Sequence, residues 1–404
     1  MKIVRGFLIA LTVAAALAAL AASARAADTW DDILREARGK TVYWNAWAGD
    51  AAVNAYIAWT AEQVRRRFDI TVIHVKIGDT AEAVSRVLAE AAAGRKTGGS
   101  VDLIWINGEN FLALKQRSLL YGPVANALPN FGLVDTETKP TNSLDATVPT
   151  EGYEVPWGTA QFVMIADEAR VPAPPDSMAG LLAFAQSHPG RLTYPLPPDF
   201  LGTTFLKQAL LELNPDAAAL LQRPLDETSF GPTTAPLWAY LDALHPYLWR
   251  SGKSFPQNGP TARRLLADGE TDIAFSFNPA EASAAIAQGL LPETARTVAF
   301  AGGSVGNSHF VAIPANASQP AAATVVANFL LSPEAQAKKQ DPSVWGDFTV
   351  LALDRLDPAD RQLFDSLPLG SATLPPDRLG RAFPEPHPSW TVRLEEEWQR
   401  RYGR

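Results

Sequence analysis

Val101 to Ile106 reads VDLIWI, five apolar residues in six with no polar face. A strand of that kind is covered on both sides, which in a soluble fold means a sheet sandwiched between helices. The segments around it fit the same plan. Thr41 to Ala46 (TVYWNA) and Thr71 to Ile77 (TVIHVKI) are strand patterns, and Ala51 to Phe68 between them is helical. Asp79-Thr80-Ala81-Glu82 has capping-box spacing, and the apolar face Ala81, Val84, Val87, Leu88 and Ala91 runs from it until Gly94. Strands alternating with helices at this spacing predict βαβ units, hence an α/β fold with a mostly parallel sheet.

In such a sheet the loops at the carboxyl ends of the strands converge on one rim, where ligands bind. Trp47, Gly49 and Asp50 follow the first strand, and the opening stretch runs directly into Asn107, Gly108 and Glu109. By the same rule Tyr194 follows a strand predicted at Arg191 to Tyr194, and Phe277 and Asn278 close the strand predicted at Thr271 to Phe277. Trp157, beside Gly158 in the extended segment Tyr153 to Asp167, is expected where the chain crosses between lobes. These ten residues are the candidate ligand contacts. Tryptophan faces near Asp50 and Glu109 suit an organic cation, through cation-π attraction and a carboxylate contact, and a sugar ring would use the same parts.

At 404 residues the chain is long for one core and is expected to form two lobes. Residues 27–156 and 307–345 are assigned to the first, 157–306 and 346–404 to the second. The first 26 residues have the pattern of a cleaved secretory leader: Lys2 and Arg5, an apolar run from Phe7 to Ala22, then Ala24-Arg25-Ala26. That run falls short of the ~20 apolar residues that span a bilayer. There is no cysteine for a disulfide or a lipid anchor, so a soluble periplasmic protein is expected. Loss of Lys2, Arg5 and Arg25 would take the net charge from -8 to -11. An acidic surface disfavours nucleic acid as a partner.

Enzyme motifs are weak. Gly302 to Gly306 (GGSVG) matches G-x-S-x-G with His309 close by, but a strand pattern follows the serine where a nucleophile elbow needs a helix. It is read as a turn, with a serine hydrolase using Ser304 and His309 as the rival. The five histidines are scattered, so no metal site is expected, and no phosphate-binding glycine loop or other cofactor motif is present.

Leu266 to Phe277 (LADGETDIAFSF) and Ala327 to Lys338 (ANFLLSPEAQAK) resemble the paired signature of bacterial ABC-transporter solute-binding proteins. NAWAGD at Asn45, VDLIWINGENF, PWGTAQF at Pro156, GRLTYPLPPDFLGTTFLKQAL at Gly190 and PEPHPSW at Pro384 resemble its YnjB-type branch. The resemblance implies a two-lobed periplasmic-binding-protein fold of type II with crossing hinge strands. It further implies a monomer that closes on a small solute and delivers it to an inner-membrane ABC permease driven by a cytoplasmic ATPase. A thiamine-like or other organic cation, or a sugar, is the solute expected; the missing Tyr-Tyr pair speaks against iron. A solute-sensing receptor subunit is the other non-enzymatic reading.

Overall fold

The fold is described for residues 29–403 in a computed structural model, and the expected leader lies outside them. The first third of the chain builds α1 (Trp30–Ala37), β1 (Thr41–Trp47), α2 (Ala51–Phe68), β2 (Thr71–Ile77), α3 (Thr80–Ala92), β3 (Leu103–Ile106) and α4 (Glu109–Lys115). A short hairpin of β4 (Leu144–Asp145) and β5 (Val148–Pro149) precedes two consecutive strands, β6 (Glu154–Gln161) and β7 (Val163–Asp167). Then come α5 (Met178–Ser187), α6 (Phe200–Leu213), α7 (Ala218–Leu221), α8 (Glu227–Leu244), α9 (Gly259–Ala267), β8 (Ile273–Ser276), α10 (Glu281–Ala287), β9 (Ala295–Val298) and β10 (Ser304–Ala312). The chain closes with α11 (Pro320–Leu330), α12 (Pro333–Gln340), α13 (Pro358–Asp365), β11 (Ala382–Phe383) and α14 (Pro388–Tyr402).

Both faces of the first sheet are buried, as the unbroken apolar pattern of β3 requires. Leu103 packs into the core that holds Val42, Trp44 and Tyr56, while Ile104 and Ile106 point the other way, against Val84 and Val87 of α3 and Phe111 of α4. The alternation continues in β10, where Val311 belongs to the first cluster and Phe310 and Ala312 to the second. Asp79 caps α3 with the reciprocal Glu82 contact. Asp50 caps α2 through the amides of Ala52 and Val53. Caps of this kind contribute about 1 kcal/mol each.

Two strands carry the chain between lobes. β6 pairs antiparallel with β10 from Glu154 to Gln161, and past Phe162 the same chain enters the second sheet as β7. β1, β2 and β3 are parallel, but β10 meets β3 antiparallel, and β7 is antiparallel to both β8 and β9. The sheets are therefore mixed, and the expectation of a mostly parallel sheet fails in the second lobe. The strand expected at Arg191 to Tyr194 is reduced to one parallel bridge, Leu192 to Ile273.

The second core gathers Phe162, Met164 and Tyr194 with α6, α8 and, from the end of the chain, Trp390, Leu394 and Trp398 of α14. Val350, Leu351 and Phe364, placed by the sequence reading in the second lobe, pack instead in the first core. Val350 and Leu351 are drawn there by pairing with the chain at Val134 and Asp135.

Candidate ligand-binding site

A cleft of about 280 Å³ opens between the lobes, walled by residues from the strand ends of both. Trp47, Asp50, Asn107, Gly108 and Glu109 line it from the first lobe, and Phe277 and Asn278 from the second. Gly49 stands behind Trp47: a Cβ there would lie 2.2 Å from the indole, so glycine lets the ring fold back over its own turn.

Two expected contacts are elsewhere. Trp157 is fully buried, and the register explains it: Gly158 pairs with His309 and Pro156 with Phe310, so Trp157 is the extra residue of a β-bulge. The bulge re-aims its side chain into the first core. There it meets Trp44 and Trp105 edge-on at 5.6 and 4.9 Å. It supports Trp105 and Trp345, which line the cleft, so its replacement is expected to act on stability before it acts on binding. Tyr194 is also fully buried, its hydroxyl 2.7 Å from His245 Nε2 and accepting from Trp398 Nε1 at 2.8 Å.

The wall is strongly acidic. Asp50, Asp79, Glu109, Asp199, Glu281, Asp347, Glu385 and Glu395 line it, against Lys207 and Arg263 as the permanent cations. Four of the eight carboxylates have basic partners. Arg263 Nη1 contacts Asp50 Oδ2 at 3.2 Å across the cleft and Glu281 at 2.7 Å. Lys207 Nζ meets Glu385 at 2.9 Å, and Asn307 donates to the other oxygen of Glu385 at 2.8 Å. Asp347 is held by His309 Nε2 at 3.0 Å and by the buried ammonium of Lys339. Burial opposes the charge of Asp347, but these two partners outweigh it and keep its carboxyl below the usual range.

Asp79, Glu109, Asp199 and Glu395 are in no salt bridge among the described residues. Asp199 caps α6 with Oδ1, as Asp79 caps α3, which leaves each a second oxygen. Desolvation pushes Asp199 up to about 6, with Asp79 adding to it. Glu395 is pushed to about 7 by desolvation and by Glu109 and Asp79, although Thr203 donates to it at 2.7 Å. Glu109 is raised by desolvation, opposed by Lys207 and reinforced by Glu385 and Asp79. The four thus share one field and lack a cation.

Aromatic faces complete the wall. Phe200 sits edge-on to Phe277 at 4.9 Å, and Trp105 and Trp345 pack at 5.8 Å. Ser304 and His309, the hydrolase pair, do not meet. They lie five positions apart along β10, on opposite faces and roughly 16 Å from each other at strand spacing. Ser304 is fully buried, its Oγ accepting from Gln161 at 3.1 Å. Among the described residues no cluster of three or more histidine or acidic side chains could hold a metal, and no helix is long and apolar enough to cross a membrane.

Residues 59–351 match the family described as bacterial extracellular solute-binding protein. Protein YnjB of Escherichia coli (strain K12) is 49% identical over 377 residues, which cover 93% of this chain and 95% of that one. The chain belongs to the extracellular solute-binding protein family. Solved solute-binding proteins share the fold. AfuA of Actinobacillus pleuropneumoniae, with fructose-6-phosphate bound, gives a TM-score of 0.63 at 14% identity, covering 90% of this chain and 99% of that one. The spermidine/putrescine substrate-binding protein PotD of Streptococcus pneumoniae gives 0.58 at 13%, covering 89% and 98%. At these identities the likeness concerns the two-lobed type II fold.

For a solute-binding protein the cleft residues that sequence reading missed are instructive. Asp79 and Asp199 carry a signal, since an N-cap after a strand end sits on the rim, but in sequence the capping box by itself accounts for Asp79. Glu385 lies in the quoted motif PEPHPSW without a local pattern to mark it. Lys207 and Glu395 lie within helices, and only packing turns them to the cleft.

Proposed function

We propose that the protein is the periplasmic solute-binding component of an ABC importer, and that its solute is an organic cation carried to the inner-membrane permease. The observation that carries this is the acid excess of the cleft, above all the four carboxylates left without a basic partner beside aromatic faces. A desolvated cation stacked on an indole gains about 2 kcal/mol, and an adjacent carboxylate adds direction. A phosphorylated sugar would meet the opposite field, although the fold accommodates one in AfuA. The polyamine label on PotD is a likeness in the same sense as the proposal. The Ser304 and His309 geometry gives a hydrolase no support.

Hinge closure follows from cation capture because Asp79 and Glu109 come from one lobe, Asp199 and Glu395 from the other. A cation placed among them favours the closed form, and a shift from 1:99 to 99:1 takes ~5.5 kcal/mol of differential binding. A thermal-shift series with spermidine, putrescine, thiamine, a neutral hexose and fructose-6-phosphate tests the reading. Cations are expected to raise the melting temperature; a ligand at 100 times its Kd adds about 2.7 kcal/mol. The effect should fade as pH falls from 7 toward 5, as Glu395 at about 7 and Asp199 at about 6 take up protons. Stabilisation by the hexose or the sugar phosphate alone would overturn it.

A further inference from the structure

Behind the binding loop lies a second pair of carboxyls that cation capture does not use. Asp145 of β4 and Glu154, the first residue of β6, are each 1% exposed, and their side chains are within hydrogen-bonding range of each other. Neither oxygen of Glu154 meets a donor from the protein, nor does Asp145 Oδ1. Asp145 Oδ2 accepts the amide of Gly108 at 2.5 Å. Gly108 is the N-cap of α4 at a φ of +59°, has no side chain of its own to cap the helix, and stands on the cleft wall between Asn107 and Glu109. One end of the carboxyl pair therefore grips the loop that presents Glu109.

We infer that Asp145 and Glu154 hold one proton between them and through it position the loop Asn107 to Glu109. Two buried carboxylates in contact cannot both be charged, whereas one proton shared between them supplies the missing donor and leaves Asp145 an acceptor for Gly108. The charges that face the pair do not replace that proton. Glu109, Glu385 and Lys207 act on Asp145, and Lys207 is already engaged by Glu385. Lys115 acts on Glu154 and is paired with Glu151 at 3.1 Å. Burial first, and then the neighbouring carboxylates, push both groups well above the usual carboxyl range.

The inference rests on the cleft reading only in naming Asn107 to Glu109 as a binding loop, and its test needs no solute, so the two can fail separately. A proton kept by the fold and lost by the unfolded chain makes stability fall as pH rises above the ordinary carboxyl range. The folding constant then drops up to tenfold per pH unit for as long as the fold keeps the proton. Urea unfolding of the full chain without its leader is measured from about pH 7.5 to about pH 9, above the midpoints of Asp199 at about 6 and Glu395 at about 7, whose residual titration is common to the wild type and the variant. The wild-type profile is expected to slope by one proton more than that of Glu154→Gln, whose amide donates to Asp145 at every pH.

Amide exchange at Gly108 should stay as slow in Glu154→Gln as in the wild type and quicken at least roughly tenfold in Asp145→Ala, where the acceptor is gone. Should Glu154→Gln not fold, Asp145→Asn takes its place, since its carbonyl accepts from Gly108 and its amide donates to Glu154. Parallel pH profiles in the wild type and the folded variant would overturn the shared proton. Unchanged Gly108 exchange in Asp145→Ala would overturn the positioning role.

Discussion

The two ends of the cleft use the same chemical groups to opposite effect. At one end Asp50, Glu281 and Asp347 are matched by Arg263, Lys339 and His309. At the other Asp79, Glu109, Asp199 and Glu395 share a field in which Lys207, itself bound to Glu385, is the cation that reaches Glu109 and Glu395. Matched charges hold parts of the fold together: Arg263 ties one lobe to the other, and Lys339 fastens α12 to the segment after Trp345. Unmatched charges cost stability in the empty protein, and a cationic solute would recover that cost on binding. The difference teaches that an acidic cleft is read from which carboxylates lack partners, not from how many there are.

The largest expected effect belongs to the matched end. Lys339→Met leaves Asp347 buried with His309 as its remaining partner, and urea unfolding should show a loss of about 3–5 kcal/mol. A loss under about 1 kcal/mol would place this pair with ordinary surface ion pairs and remove the contrast. At the unmatched end the signs reverse. Glu109→Gln should lower spermidine affinity by roughly 30-fold, about 2 kcal/mol, while leaving the urea midpoint unchanged or higher. Equal affinity in calorimetry would take Glu109 out of the site. The smallest effect is at the bridge: Arg263→Ala should cost only about 0.5–1 kcal/mol in stability, because the pair is partly solvated. It should also shift small-angle scattering of the solute-free protein toward the open form, and an unaltered profile would deny Arg263 its part in closure.

Much of the first lobe was legible because its signals are local. The βαβ alternation, the Asp79 capping box and the extent of Ala51–Phe68 follow from residues a few positions apart, and the helix and strand bounds match closely. The rim residues Trp47, Asp50, Asn107 and Glu109 could be listed for the same reason, since a strand end and a following cap mark them. Trp157 was misread because the bulge that turns it inward depends on its pairing with β10, about 150 residues later. Tyr194 was misread because its strand exists only as a single bridge, and the ring follows the helix packing of Phe205 and His245 instead.

By itself the sequence determined a layered α/β chain of two lobes whose strand ends carry polar and aromatic residues, because periodicity and capping act over one or two turns. Only the tertiary structure decided which of those residues share a cleft and which carboxylates keep a partner. Asp50 and Arg263 are 213 positions apart, and Lys207 and Glu385 are 178. Charge compensation is set by distance in space and by burial, and neither is encoded in the spacing of neighbours along the chain.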